Sequence, residues 1–196
     1  MNNGVNKELL EALDQGGRGE SPALLAYCRR LVTMGADVNA RDRGNWTPLL
    51  RAVCRSDKAV MNFLLDHGAD IDAVNRLGTS ALHLAVFRKD VAAAKLLLDR
   101  GAHVDRQDAG GTTPLMNAVL RRHDAMIDLL LVHGADMDAQ DLLGRSVLGY
   151  ASGERLPVQA ARFAVEEYRR MAQSFQEAAA KGTVRARKII RRGPKP

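Results

Sequence analysis

Two histidine–aspartate pairs, His67 with Asp70 and His133 with Asp136, stand inside the same four-letter string, HGAD. On a helix, residues three apart share a face, and an imidazole beside a carboxylate is the start of a metal site. His83, His103, His123, Cys28 and Cys54 complete the set of soft ligands and strong nucleophiles. The two cysteines lack the close spacing of a metal-binding pair. A hydrolytic site needs a nucleophile, a base and a group that orients the base. A nucleotide site needs a glycine loop opening a helix. Neither pattern is found in the chain, so HGAD has two readings left: a metal pair, or a structural joint used more than once.

Alignment of the strings decides between them. TMGADVNARD, DHGADIDAVN, DRGAHVDRQD and VHGADMDAQD place Gly35, Gly68, Gly101 and Gly134 at a spacing of 33 residues with no insertion. Leu49, Leu82, Leu115 and Leu148 keep the same period, as do Ala52, Ala85, Ala118 and Ala151, and the hydroxyls Thr47, Ser80, Thr113 and Ser146. A fixed period of this length signals a solenoid of one repeated supersecondary unit. The copies of HGAD's histidine are Met34 and Arg100 elsewhere, so the repeat does not require a ligand there, and the joint is the stronger reading.

Each periodic residue has a physical task. In WTPLLRAV and TTPLMNAV the threonine is an N-cap whose hydroxyl accepts from first-turn amides. Pro48 and Pro114 then occupy the first helical position, where a missing N–H does no harm. Leucine and alanine three apart lie on one face and let a neighbouring helix approach. A second helix ends in Phe63-Leu64-Leu65, Leu96-Leu97-Leu98 or Leu129-Leu130-Leu131. The periodic glycine closes it in the left-handed conformation. A short Asp/Asn-rich turn follows. On this reading Asp70 and Asp136 bond locally in the turn, and His67 and His133 lie at helix ends where positive charge suits the dipole.

The pattern G-x-T-P-L-x-x-A, two helices, then L-L-x-x-G-A-D-x-D/N-A closely resembles the ankyrin repeat over about residues 35–151. The resemblance implies an all-α solenoid of stacked antiparallel helix pairs with a hairpin loop projecting from each junction. The chain departs from the family pattern in places. His83 alone keeps the histidine of T-P-L-H, with Leu50, Met116 and Gly149 in its place elsewhere; Ser56, Lys89 and Arg122 stand where glycine is usual between the helices. Arg51 and Asn117 stand where the second full repeat has Leu84. The division expected is a diverged N-terminal capping repeat at 1–40, repeats at 41–74, 75–107 and 108–140, a C-terminal capping repeat with a long helix at 141–181, and a basic tail at 182–196.

Bulk properties agree with a small array. The 196 residues are 46% hydrophobic but only 4% aromatic, so Leu, Ala, Val and Met must build the core, in helices and not in a sandwich of large rings. No stretch reaches the ~18 apolar residues of a membrane span. Glu8 and Glu11 fall where a signal peptide would be apolar, so the cysteines are expected reduced and the chain cytoplasmic. The net charge of +6 is local: seven of the 29 basic residues lie from Lys181 onward without an acid, leaving 22 against 23 acids before it. A near-neutral body lacks the basic face of a nucleic-acid-binding domain.

The ends differ from the middle. A helix over Val5–Asp14, a GGRGE loop and a second helix capped by Ser21 with Pro22 at its first position make the N-terminal pair. Past the fourth hairpin, Glu167 replaces the closing glycine, so a helix from Pro157 runs on toward Lys181. Its Ala161, Ala164, Tyr168, Met171, Phe175 and Ala178 form an apolar stripe. That stripe is either a lid over the last repeat or a surface for a partner or second copy. For KGTVRARKIIRRGPKP three uses compete: a solvated tail, an anchor for nucleic acid or anionic membrane, and a transport address of nuclear or secreted-effector type.

The resemblance implies a concave face formed by hairpin tips and first helices. Its residues here are Arg43, Trp46, Arg55, Arg76, Leu77, Phe87, Arg88, Leu120, Arg121, Leu142, Leu143 and Arg145. Arginine beside exposed apolar and aromatic side chains is the composition of binding hot spots. The expected function is therefore a non-catalytic protein–protein interaction scaffold for an acidic, partly apolar protein segment, with no cofactor, no metal and no enzymatic activity. Association with nucleic acid or anionic membrane, or a transport signal, through the tail is the alternative.

Overall fold

The computed structural model describes residues 3–15 and 18–151. The expected helix from Pro157 and the basic tail lie outside the described residues. Nine helices occur among them: α1 Asn3–Asp14, α2 Pro22–Thr33, α3 Pro48–Arg55, α4 Lys58–Asp66, α5 Ala81–Phe87, α6 Val91–Asp99, α7 Pro114–Leu120, α8 Asp124–Val132 and α9 Val147–Ala151. Helices pair in chain order, α1 with α2 through α7 with α8, and the pairs stack. The first helices α1, α3, α5, α7 and α9 form one layer, each against the next. The second helices form another, with α2 against α4 and α6 against α8. Two isolated bridges, Val74 to Ser80 and Gln140 to Ser146, are the only β pairing among the described residues. The fold is the expected all-α solenoid.

The periodic residues hold it together. Ala52, Ala85 and Ala118 are fully buried where adjacent first helices meet, with Leu49, Leu82 and Leu115 beside them. Leu31, Leu64, Leu97 and Leu130 form the matching row in the second layer, all buried. Thr47, Ser80 and Thr113 accept from Leu50, His83 and Met116 N–H respectively. These three hydroxyls are themselves buried, so removing one would strand amides away from water. Asp57 and Asp90 cap α4 and α6 in the same way, and His123 Nδ1 accepts from Met126 N–H to cap α8.

Neighbouring repeats are also joined by hydrogen bonds in register. The side-chain oxygens of Asn39, Asp72 and Asp105 accept from the backbone N–H of Asp70, His103 and Asp136, at 2.7, 3.0 and 2.9 Å. Asn6 on α1 takes the same part toward Asp37, at 2.8 Å, which ties the first helix pair into the ladder. His83 adds a bridge of its own: its Nδ1 meets the Ser80 hydroxyl and its Nε2 lies 2.9 Å from Thr112 O in the next repeat. Burial lowers the pKa of this imidazole below its ordinary value, which favours the neutral ring that the bridge uses.

The turns between paired helices carry a cost. Ser56, Lys89 and Arg122 hold left-handed backbone with φ of 57°, 58° and 50°, a conformation unfavourable by roughly 1–2 kcal/mol for a residue with a Cβ. Glycine there would remove that strain but widen the unfolded ensemble. Lys89→Gly is therefore expected to stabilise the protein by about 0.5–1 kcal/mol, read as a higher urea midpoint with unchanged slope. A lower midpoint would show that the lysine side chain matters more than its backbone.

Candidate binding face

The hairpin loops between repeats are built on one side-chain acceptor each. Asp42 Oδ1 accepts from Gly44 and Trp46 N–H, Asn75 Oδ1 from Leu77 and Thr79, Asp108 Oδ1 from Gly110 and Thr112, and Asp141 Oδ1 from Leu143 and Arg145. Short polar side chains that bond the backbone two residues on fix such turns. The tips then bond one another: Arg76 N–H to Gly44 O, Ala109 N–H to Leu77 O and Leu142 N–H to Gly110 O, at 3.0, 3.0 and 3.1 Å. The outcome is a row of loops whose backbone N–H groups are almost all engaged, leaving side chains to face outward.

Burial pushes the carboxyl of Asp141 up, but hydrogen bonds from Arg145, Tyr150 and Leu143 outweigh it and hold it far below the usual carboxylate range. Asp42 behaves likewise: burial opposes ionisation, while N–H donors from Trp46 and Gly44 and the Arg51 guanidinium bring its pKa below the ordinary value. Both loop anchors therefore stay charged at neutral pH. Their role is internal, since their oxygens are occupied.

The structure sorts the residues expected on the face. Arg43 and Arg76 are exposed at the tips. Leu77, Leu142 and Leu143 stand 70%, 76% and 75% exposed and do not pack between hairpins. Phe87 and Leu120, at the ends of α5 and α7, are 61% and 59% exposed, with half-buried Arg88 and Arg121 following them. Arg121 lies over the Phe87 ring at 3.8 Å. Three residues depart from expectation. Arg55 is only 8% exposed and donates from its Nη1 to Gln15 O, so it fastens the end of α1. Trp46 is half-buried and packs on the core, with its ring edge so close to Gly44 that a Cβ there would meet it at 2.9 Å. It closes the first loop as much as it presents a surface. Arg145 is exposed but turned back on Asp141 and Tyr150.

Arg51 carries more structure than its sequence position suggests. It stands where Leu84 stands in the next repeat, yet its guanidinium pairs with Asp14 of α1 and, at 2.6 Å, with Asp42. A cation at an expected leucine position was the only signal for this link, and the acid on α1 cannot be matched to it by period. Together with Leu13, Arg18, Trp46, Cys54 and Arg55, this cluster lines a cleft of about 480 Å³ at the N-terminal end of the face.

Neither cysteine has the surroundings of an activated nucleophile. Burial pushes the Cys28 thiol up to about 11 and raises Cys54 as well, opposite to the shift an attacking thiolate needs. His67 turns its Nδ1 to Phe63 O at 2.8 Å and its ring against Phe63, while Asp70 accepts from Asp72 N–H. His133 faces Asp99 of α6, and Asp136 accepts from Asp138 N–H. The HGAD pairs thus point apart. Among the described residues no three of His, Cys, Asp and Glu gather as a metal set, and no helix is long and apolar enough to cross a membrane.

The family model described as "Ankyrin repeats (3 copies)" matches residues 20–108 and again residues 72–141. No curated protein matches the chain.

Proposed function

The chain belongs to the ankyrin-repeat family, whose arrays generally serve as protein–protein interaction modules, and on that premise we propose that it binds a partner protein through its concave face without performing chemistry. The observation that carries this reading is the row of exposed leucines, Leu77, Leu142 and Leu143, on loops whose backbone N–H groups are already engaged. Apolar side chains held in water by a rigid support add no cost of ordering the loop when a partner covers them, only that of their own rotamers. Arg43 and Arg76 beside them lack ion-pair partners among the described residues. That favours a segment that is acidic and partly apolar.

The test compares proteins retained by the full chain, by a chain cut after Gly182, and by an Arg76→Glu/Leu77→Ser/Leu142→Ser variant. The expected result is a protein held by the first two and lost from the third. Retention by the tip variant would contradict the reading. Loss on removing the tail alone, with steep salt dependence, would assign the interaction to the tail instead.

A further inference from the structure

The first helices end in a repeated two-residue unit, Cys54-Arg55, Phe87-Arg88 and Leu120-Arg121, an apolar side chain followed by arginine at the 33-residue period. A cation at a helix C-terminus suits the dipole, and that alone would explain three arginines. It does not explain why large apolar groups stand exposed beside two of them, nor how their donors are left. The Nε–H groups of Arg55, Arg88 and Arg121 are buried with no acceptor. Arg55 has an outlet through Gln15 O. Arg88 and Arg121 form no ion pair among the described residues, and Arg121 rests its charge on the Phe87 ring. Their buried Nε atoms are out of a ligand's reach, but two half-buried cations without an ion pair have already lost some of their hydration, so an anion that reaches their Nη groups gains more than it would at a free surface arginine.

We propose that Arg88 and Arg121, with Phe87 and Leu120 between and beside them, form a two-cation clamp for an extended acidic peptide whose carboxylates are three residues apart. The spacing follows from packing. Adjacent helices α5 and α7 are in contact, and packed helix axes lie about 8–10 Å apart. An extended chain of the polyproline-II kind advances about 3.1 Å per residue and returns to the same face every third residue, so three residues carry a peptide from one repeat to the next with both carboxylates on the side of the arginines. An apolar residue between the two acids flanks that face, beside the exposed Phe87 and Leu120. This deepens the concave-face reading by naming the partner's chemistry and register, and it rests on that reading.

The experiment is fluorescence anisotropy on the full chain with two labelled peptides of equal composition, one with glutamates at every third position and leucines between, the other with the glutamates in one block. The spaced peptide is expected to bind at least about fivefold more tightly. Arg88→Glu/Arg121→Glu is expected to weaken it by about tenfold or more, since each exposed-type pair contributes up to about a factor of five and reversal adds repulsion. Arg88→Gln/Arg121→Gln, which leaves the helix ends without a new charge, should fall between and covers the case in which the reversal variant does not fold. The tail is the same in every arm. Equal affinity for the two peptides, undiminished affinity in the glutamine variant, or no binding of the spaced peptide would each overturn the clamp. None of these outcomes bears on the tip loops, whose role fails only if the tip variant keeps its partner.

Discussion

Gly78→Ala is expected to destabilise the protein by about 3 kcal/mol or more, and Gly144→Ala by only about 1–2 kcal/mol. The two glycines have nearly the same left-handed backbone, φ +71° and +72°, so the conformational cost of adding a Cβ is common to both. Their surroundings differ. A Cβ on Gly78 would lie 2.5 Å from Ala109 N and 2.9 Å from Asp108 C, backbone atoms of the next loop, whereas nothing lies within 4 Å at Gly144. The clash at Gly78 cannot be relieved by turning a side chain. It must part the tips and with them the Ala109 N–H to Leu77 O bond, the kind of loss that accounts for large mutational effects. Urea unfolding of both variants measures the difference directly. Equal losses would mean that the loops do not depend on stacking backbone to backbone.

Leu97→Ala is the second large effect, expected at about 3–4 kcal/mol from lost burial and the cavity left behind. Leu97 is fully buried in α6 and belongs to the row Leu31, Leu64, Leu97 and Leu130. In a linear array each unit is stabilised by its neighbours, so weakening an interior unit also loosens the pairs on either side. The expected signature is a lower midpoint together with a shallower slope, as the transition stops being all-or-none. A loss under about 1 kcal/mol would show that the second layer contributes little to cohesion.

The two predictions also mark what could be read from residues alone. Leu97, the capping hydroxyls and the closing glycines were legible because each obeys a rule that acts within one repeat and returns 33 residues later. Gly78 is the first position of the G-x-T-P-L-x-x-A pattern, but the backbone that approaches it belongs to the following loop and has no local signal. Most of the differences arise beside the N-terminal pair, where periodicity stops. Arg55 was assigned to the face because Arg88 and Arg121 share its position; α1 lies against it and supplies Gln15 O. Trp46 stands out as a lone large ring, yet it packs on the core at the same end. Arg51 stands where the second full repeat has Leu84, and it is the tie among α1, α3 and the first loop. At the other end Arg145 was placed on the face, where Asp141 and Tyr150, four residues before it and five after it, take up its charge. The exposed leucines are a different case: the resemblance to the repeat placed Leu77 and Leu142 on loop tips, but only the three-dimensional packing distinguishes burial between loops from projection into water.

The account separates residues that hold the array together from residues that face outward on it. Its most direct test is the unfolding free energy of an Arg43→Ala/Arg76→Ala/Leu77→Ser/Leu142→Ser/Leu143→Ser variant, measured by urea titration against the unaltered chain. Exposed positions outside caps and core usually contribute within about 0.5 kcal/mol each, so the predicted result for the five is a total change under about 2.5 kcal/mol with the slope preserved. A loss comparable to that of Gly78→Ala would mean that these side chains support the fold and are not free for recognition.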